Sequence, residues 1–87
     1  MSVVLTEIQI ASDYDHEGRL ILIDGRLVAV MVKLSELHEH LAGRWYLETG
    51  YGVLKYERPS FLDLDSAVEW IQYRLAGDPL IGKSVFS

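Results

Sequence analysis

The chain has 87 residues, 49% hydrophobic and 24% charged, which argues for one packed domain and against disorder. Eight Lys and Arg against thirteen Asp and Glu give a net charge of −5, with the basic residues scattered singly, so nucleic acid and anionic membrane surfaces are disfavoured as partners. The lack of cysteine excludes disulfides, thiolate chemistry and Cys-ligated zinc, and with no basic leader and no membrane-length apolar run we expect a soluble, cytoplasmic protein.

The chain opens on a pattern typical of a strand with one wet face. Residues 3–11 alternate loosely, with Val4 and Ile8 on one side and Glu7 on the other. Residues 12–18 are polar and predict a loop.

A hairpin is predicted next, between two runs rich in β-branched residues, 20–23 and 27–34. Asp24, Gly25 and Arg26 separate the runs, and Gly25 can adopt the positive φ that a primed Asp-Gly turn requires. We expect these runs to be the two central strands.

One helix is the competing interpretation of the second run, because six apolar residues also follow a helical spacing: Leu27, Val30, Met31, Leu34, Leu37 and Leu41. We favour a strand to Leu34, since Val28 and Val32 are β-branched and would fall off that helical face. Ser35 is then the predicted N-cap of a short helical turn over residues 36–41, closed by Gly43.

The second half predicts another hairpin and a long helix. Residues 44–49 alternate, and the Gly50-Tyr51-Gly52 turn leads into a predicted strand over 53–56, ended by Pro59. The helix has Asp63 as its predicted N-cap and Gly77 as its predicted C-cap. Its apolar residues recur at helical spacing: Leu64, Ala67, Val68, Ile71 and Leu75. The fold class is therefore α+β, a single domain over residues 1–87 in which an antiparallel meander of about five strands carries a C-terminal α-helix on one face.

Residues 77–84 match the P-loop pattern G-x-x-x-x-G-K-[ST]. A P-loop holds phosphate on the helix that follows it, whereas here a helix precedes the match and three residues follow. Pro79 also removes one backbone donor. We expect no nucleotide binding.

Metal and catalytic patterns are equally incomplete, so we predict no metal, no cofactor and no enzymatic activity. His38 and His40 flank one residue, which is not a zinc-ligand spacing, and they are interpreted with His16 as solvated side chains. Asp13, Asp15 and Glu17 resemble the start of a calcium loop, but the twelfth position lacks its Glu. No catalytic nucleophile and base are paired in the sequence.

The two central strands are apolar on both faces, and one helix covers one face of a sheet. The function predicted best is therefore a small non-catalytic protein-interaction or accessory domain that acts as a homodimer, with another protein as a further possible partner. Trp70 and Tyr73 form a secondary aromatic face on the helix; it either folds over the sheet edge or contacts another chain. The interface candidates are Val28, Val30, Val32, Trp70, Tyr73, Leu80, Ile81 and Phe86.

The alternative function is that of a small-ligand-binding domain with an aromatic pocket between sheet and helix. Its candidate pocket residues are Trp45, Tyr51, Tyr56 and Trp70.

Overall fold

A computed structural model describes residues 2–76, and over this range the chain forms a five-stranded antiparallel sheet with the strands in chain order. The strands are β1 (Val3–Gln9), β2 (Glu17–Ile23), β3 (Arg26–Lys33), β4 (Trp45–Gly50) and β5 (Ser60–Phe61), and helix α1 spans Leu64–Leu75. Two 3₁₀ turns, Glu36–Leu41 and Gly52–Leu54, lie before and after β4. The predicted α+β meander with a C-terminal helix is confirmed.

The hairpin between β2 and β3 is confirmed. Both turn residues have positive φ, 52° at Asp24 and 80° at Gly25, as a primed turn requires. The pairing contains a bulge on β3, where Ile21 pairs with Ala29 but Leu22 pairs with Leu27. This bulge places Val28 on the same side of the sheet as Ala29.

Residues 26–33 form strand β3 and residues 36–41 form a short 3₁₀ turn, as favoured, and the single-helix alternative is wrong. Ser35 occupies the predicted N-cap position of that turn, but its side chain makes no cap hydrogen bond. Its backbone N–H instead donates to a carboxylate oxygen of Asp15 at 2.7 Å. Asp15, twenty residues earlier, therefore anchors the start of the 36–41 turn.

The predicted strand over residues 53–56 is wrong, because the chain forms a 3₁₀ turn at Gly52–Leu54. That turn inserts Leu54, fully buried, into the core. The fifth strand comes later and has two residues, with Trp45 paired to Phe61 and Tyr46 to Ser60. A four-residue apolar and polar alternation does not distinguish a strand from a turn that buries one side chain.

Helix α1 begins where the sequence predicts. The Asp63 carboxylate accepts a hydrogen bond from the Ser66 backbone N–H at 2.7 Å, which satisfies one of the unpaired donors of the first turn. The buried side of the helix, Ala67, Ile71 and Leu75, packs on the sheet. Ala76 is the C-cap, and the predicted cap Gly77 lies outside the described residues.

The core lies between α1 and one face of the sheet. Its fully buried large side chains are Ile21, Ile23, Met31, Leu47, Leu54, Ile71 and Leu75. Within residues 2–76, no helix has the length and apolar character needed to cross a membrane.

Candidate functional site: an uncovered apolar sheet face

The two faces of the sheet differ in what covers them. Ile21 and Ile23 on β2 belong to the core beneath α1. Because successive side chains of a strand point to opposite faces, Leu20 and Leu22 lie on the other face. Both are only half-buried there.

This second face continues across the neighbouring strands, since residues directly opposite in an antiparallel pair share a face. Thr6 and Val4 of β1 pair with Leu20 and Leu22, which in turn pair with Val30 and Leu27 of β3. We call this set the open face, and it comprises Val4, Thr6, Leu20, Leu22, Leu27 and Val30. Val4 is 50% exposed and Leu27 is 37% exposed. The open face is therefore an uncharged, largely aliphatic surface across three strands.

The open face ends where the chain folds over itself near Gly18. A side-chain carbon at position 18 would lie 2.7 Å from Cδ1 of Ile10 and 3.1 Å from Cγ1 of Ile8, so these two isoleucines cover the glycine. Val32, which pairs with Gly18, is buried. Among residues 2–76, the apolar surface therefore remains open towards the β2–β3 turn.

A polar cleft of about 510 Å³ lies beside the covered end, bounded by Asp15, His38, Tyr46, Glu48, Arg58 and Ser60 with Leu34 and Leu41. The Nε2 atom of His38 lies 3.0 Å from a carboxylate oxygen of Asp15. Burial acts to raise the pKa of Asp15, but the Ser35 backbone N–H and the His38 ring outweigh it and hold that pKa below its ordinary value. The Asp15–His38 contact joins the 36–41 turn to the loop before β2.

Comparison of the chain with protein-family models, with curated proteins and with solved structures gave no match. Function is therefore argued from the geometry of the site itself.

The strand residues among the interface candidates lie in three different environments. Val30 belongs to the open face and is half-buried. Val32 lies on the same side but is covered. Val28 is 3% exposed within the core beneath α1, because the β3 bulge turns it to the helix side, so it does not belong to the open face.

The helix and tail candidates are also separated. The Trp70 ring packs on Phe61 of the edge strand with centroids 5.5 Å apart, so Trp70 folds over the sheet edge. Tyr73 is 79% exposed on the outer side of α1. Leu80, Ile81 and Phe86 lie outside the described residues.

The four aromatic pocket candidates do not come together in one pocket. Trp45 is buried in the core, and Trp70 lies at the core's margin against Phe61. Tyr51 and Tyr56 share a surface recess of about 520 Å³ with Lys55 and Arg58. The four residues predicted to line one small-ligand pocket are thus divided between the packed interior and a surface recess.

The residues of the calcium-like and histidine patterns make other contacts. Asp15 pairs with His38, and Glu17 lies 3.5 Å from Arg19. Across residues 2–76, no group of three or more His, Asp or Glu side chains is placed to hold a metal ion. The P-loop match at 77–84 lies outside the described residues. Helix α1 ends at Leu75, just before this match, as expected.

The Asp15, Ser35 and His38 contact is the arrangement that sequence reasoning missed. It joins residues 20 and 23 positions apart, so no local periodicity indicates it. A Ser directly after the apolar Leu34 predicts that a turn begins there. It does not predict that the Ser35 backbone N–H binds a distant carboxylate.

Proposed function

We propose that this chain is a small non-catalytic protein-interaction domain that acts as a homodimer, with the open face of each copy covered by the other. The observation that supports this is the position of Leu20, Leu22 and Val30, three aliphatic side chains at the centre of a sheet face that α1 does not reach. Contiguous apolar surface of this kind marks an interaction site in a folded protein, because its removal from water is favourable.

A second copy is the occupant we favour because of charge. The chain carries a net charge of −5, which opposes self-association through most of its surface. The open face contains no charged residue, so two copies can meet there without placing like charges opposite each other. A contact around a two-fold axis uses the same patch on both chains, as is usual for homodimers.

The open face alone is smaller than a standard interface. Three strands about 4.8 Å apart, each contributing about three residues at about 3.3 Å per residue, present roughly 150 Å² in projection, and the protruding side chains increase the accessible area. A standard interface buries about 800 Å² per partner. We therefore include the apolar C-terminal residues Leu80, Ile81 and Phe86 in the proposed interface, on composition alone.

The small-ligand alternative is supported less well, since its four aromatic residues line no common pocket. Tyr51 and Tyr56 alone border an open recess. A site that binds a small molecule buries most of the ligand's surface, which an open recess does not do.

The proposal is tested by placing a Lys on each of the two candidate surfaces in turn. Val30→Lys puts an ammonium group at the centre of the open face, where a dimer would bury it without a partner. Val30 is only half-buried in the single chain, so the variant is expected to fold and to elute as a monomer of 9.9 kDa.

Tyr73→Lys is the matched control on the opposite side of the molecule, at an exposed position of α1. We expect this variant to keep the dimeric mass, measured by light scattering with the far-ultraviolet circular dichroism of both variants compared. Dissociation by Tyr73→Lys together with an intact dimer of Val30→Lys would place the interface on the helix side and refute the proposal.

A further inference from the structure

The two edges of the sheet are very different. β5 is two residues long and follows Pro59, which has no N–H to offer a neighbouring strand. β1 at the other edge is seven residues long, contains no Pro or Lys, and pairs with β2 without a register shift. Natural sheets normally protect such an edge with short strands, charged side chains, Pro or bulges. In the part of the chain that the structure describes, β1 carries one charged residue, Glu7, and has no Pro, Lys or bulge.

The backbone groups that β1 leaves unpaired can be identified from the hydrogen bonds at its two ends. The Ile10 N–H donates to the His16 carbonyl and the Asp24 N–H donates to the Ser2 carbonyl, each at 2.8 Å. Hydrogen-bonded and non-hydrogen-bonded pairs alternate along an antiparallel ladder. Even-numbered residues of β1 therefore bond to β2, and the N–H and C=O groups of Val3, Leu5, Glu7 and Gln9 point outwards from the edge.

We propose that the β1 edge pairs with the β1 edge of a second copy, antiparallel and with Thr6 opposite Thr6, which joins two sheets into one of ten strands. This edge contact is separate from the contact through the open face. It rests on the proposed function only in that the partner is again a second copy of the chain. A two-fold axis perpendicular to the sheet relates the strands and brings both open faces to the same side. The outward groups of one copy then meet those of the other.

The sequence of β1 favours its own copy as the partner in this register. All seven residues pair, with Val4 opposite Ile8 and Leu5 opposite Glu7. The central Thr6–Thr6 pair is a favourable cross-strand combination. Glu7, the one charged residue of the strand, faces no other acid and lies beside Arg19 of β2. A shift of one residue towards Glu7 opposite Glu7 would set like charges against each other.

The pairing is tested by disulfide trapping with Thr6→Cys, in a chain that has no other cysteine. Residues opposite each other in a non-hydrogen-bonded pair have Cα atoms about 4.5 Å apart, within the range that a disulfide spans. Two sheets stacked through their open faces lie about 10 Å apart, beyond that range. Mild oxidation should convert most of the Thr6→Cys protein into a covalent dimer that reductant reverses.

Thr49→Cys is the matched control, the same substitution on the inner strand β4, opposite Val30. Leu5→Cys controls the register, because in the proposed pairing the two copies of Leu5 are offset by two residues. Neither variant should form a disulfide. Equal cross-linking of Thr6→Cys and Thr49→Cys, or faster cross-linking of Leu5→Cys, would overturn the proposed pairing.

A second variant separates backbone pairing from chance collision. Leu5→Pro removes an N–H that points to solvent in the single chain, so the sheet keeps its internal hydrogen bonds, but the neighbouring copy loses a donor. The Leu5→Pro/Thr6→Cys double variant should lose the cross-link while keeping the wild-type circular dichroism. If the Thr6→Cys protein has a dimeric mass but forms no cross-link, the edge pairing is refuted and the face-to-face dimer is not. If Thr6→Cys still forms the cross-link when Val30→Lys is also present, the edge contact is supported independently of the open face.

Discussion

At the scale of single residues, Gly50 illustrates how one missing side chain permits the fold. A Cβ at this position would lie in contact with the backbone oxygen and carbonyl carbon of Leu54, closer than van der Waals contact allows. The 52–54 turn approaches β4 this closely because it inserts Leu54 into the core. Position 50 therefore requires glycine because there is no room for a Cβ, and not because of a positive φ.

Gly50→Ala is accordingly expected to lower the free energy of unfolding by about 1–3 kcal/mol, the usual cost of forcing atoms into a filled interior. Gly18→Ala is the matched control, since the atoms that a Cβ would meet there are the ends of the Ile10 and Ile8 side chains, which can rotate away. Urea denaturation compares the two variants. An equal loss in both would show that the contact with Leu54 is not rigid.

At the scale of elements, helix α1 depends on its first turn. The Asp63 carboxylate caps Ser66, and this hydrogen bond from the backbone, followed by the Ser66 side chain, holds the pKa of Asp63 below its ordinary value of 3.8. Asp63→Ala should therefore lower the melting temperature by several degrees at neutral pH. Asp65→Ala, in the same turn without a cap bond, should change it little.

The same cap predicts a pH dependence. A carboxyl group whose pKa is lower in the folded chain stabilises the fold fully above the pKa of the unfolded chain, and it loses that contribution as the pH falls through the folded value. The difference between wild type and Asp63→Ala should consequently shrink below about pH 4. A difference that stays constant from pH 7 to pH 2 would contradict the charged cap.

Those elements whose signals are local could be predicted from the sequence. The Asp24-Gly25 turn and the Asp63 cap each combine a residue of known preference with an adjacent periodic run. The prediction of a strand over 53–56 was wrong because the burial of Leu54 depends on its close approach to Gly50, which is a tertiary contact. The hydrogen bond from Ser35 to Asp15 was not predicted for the same reason, since the two residues are 20 positions apart and meet only in the folded chain.

The faces of β1 show a further limit of pattern reading. Alternation separates Val4, Thr6 and Ile8 from Glu7 and Gln9 correctly, but it does not say which side the helix covers. The apolar side of β1 joins the open face, and Glu7 shares the helix side with Ile21. An amphipathic strand therefore predicts two faces, and only the packing of α1 decides which of them is buried.

At the scale of the whole molecule, the fold is a single layer of helix on a single sheet, and over residues 2–76 the open face on the other side of that sheet is uncharged and is not covered by α1. An 87-residue chain buries a smaller share of its surface than a larger domain does, so covering that face with a second copy would add to its stability. In the proposed dimer the stability of the fold therefore depends on self-association, and both should vary with protein concentration.

The molar mass of the unmodified chain in solution, measured by size-exclusion chromatography with light scattering from about 1 to 100 μM, tests this account most directly. A standard interface at these concentrations is expected to give twice the 9.9 kDa of a single chain, with a rise towards four chains at the highest concentrations if the β1 edges also pair. A folded monomer of 9.9 kDa throughout this range, with a melting temperature independent of concentration, would contradict the claim that a second copy covers the open face.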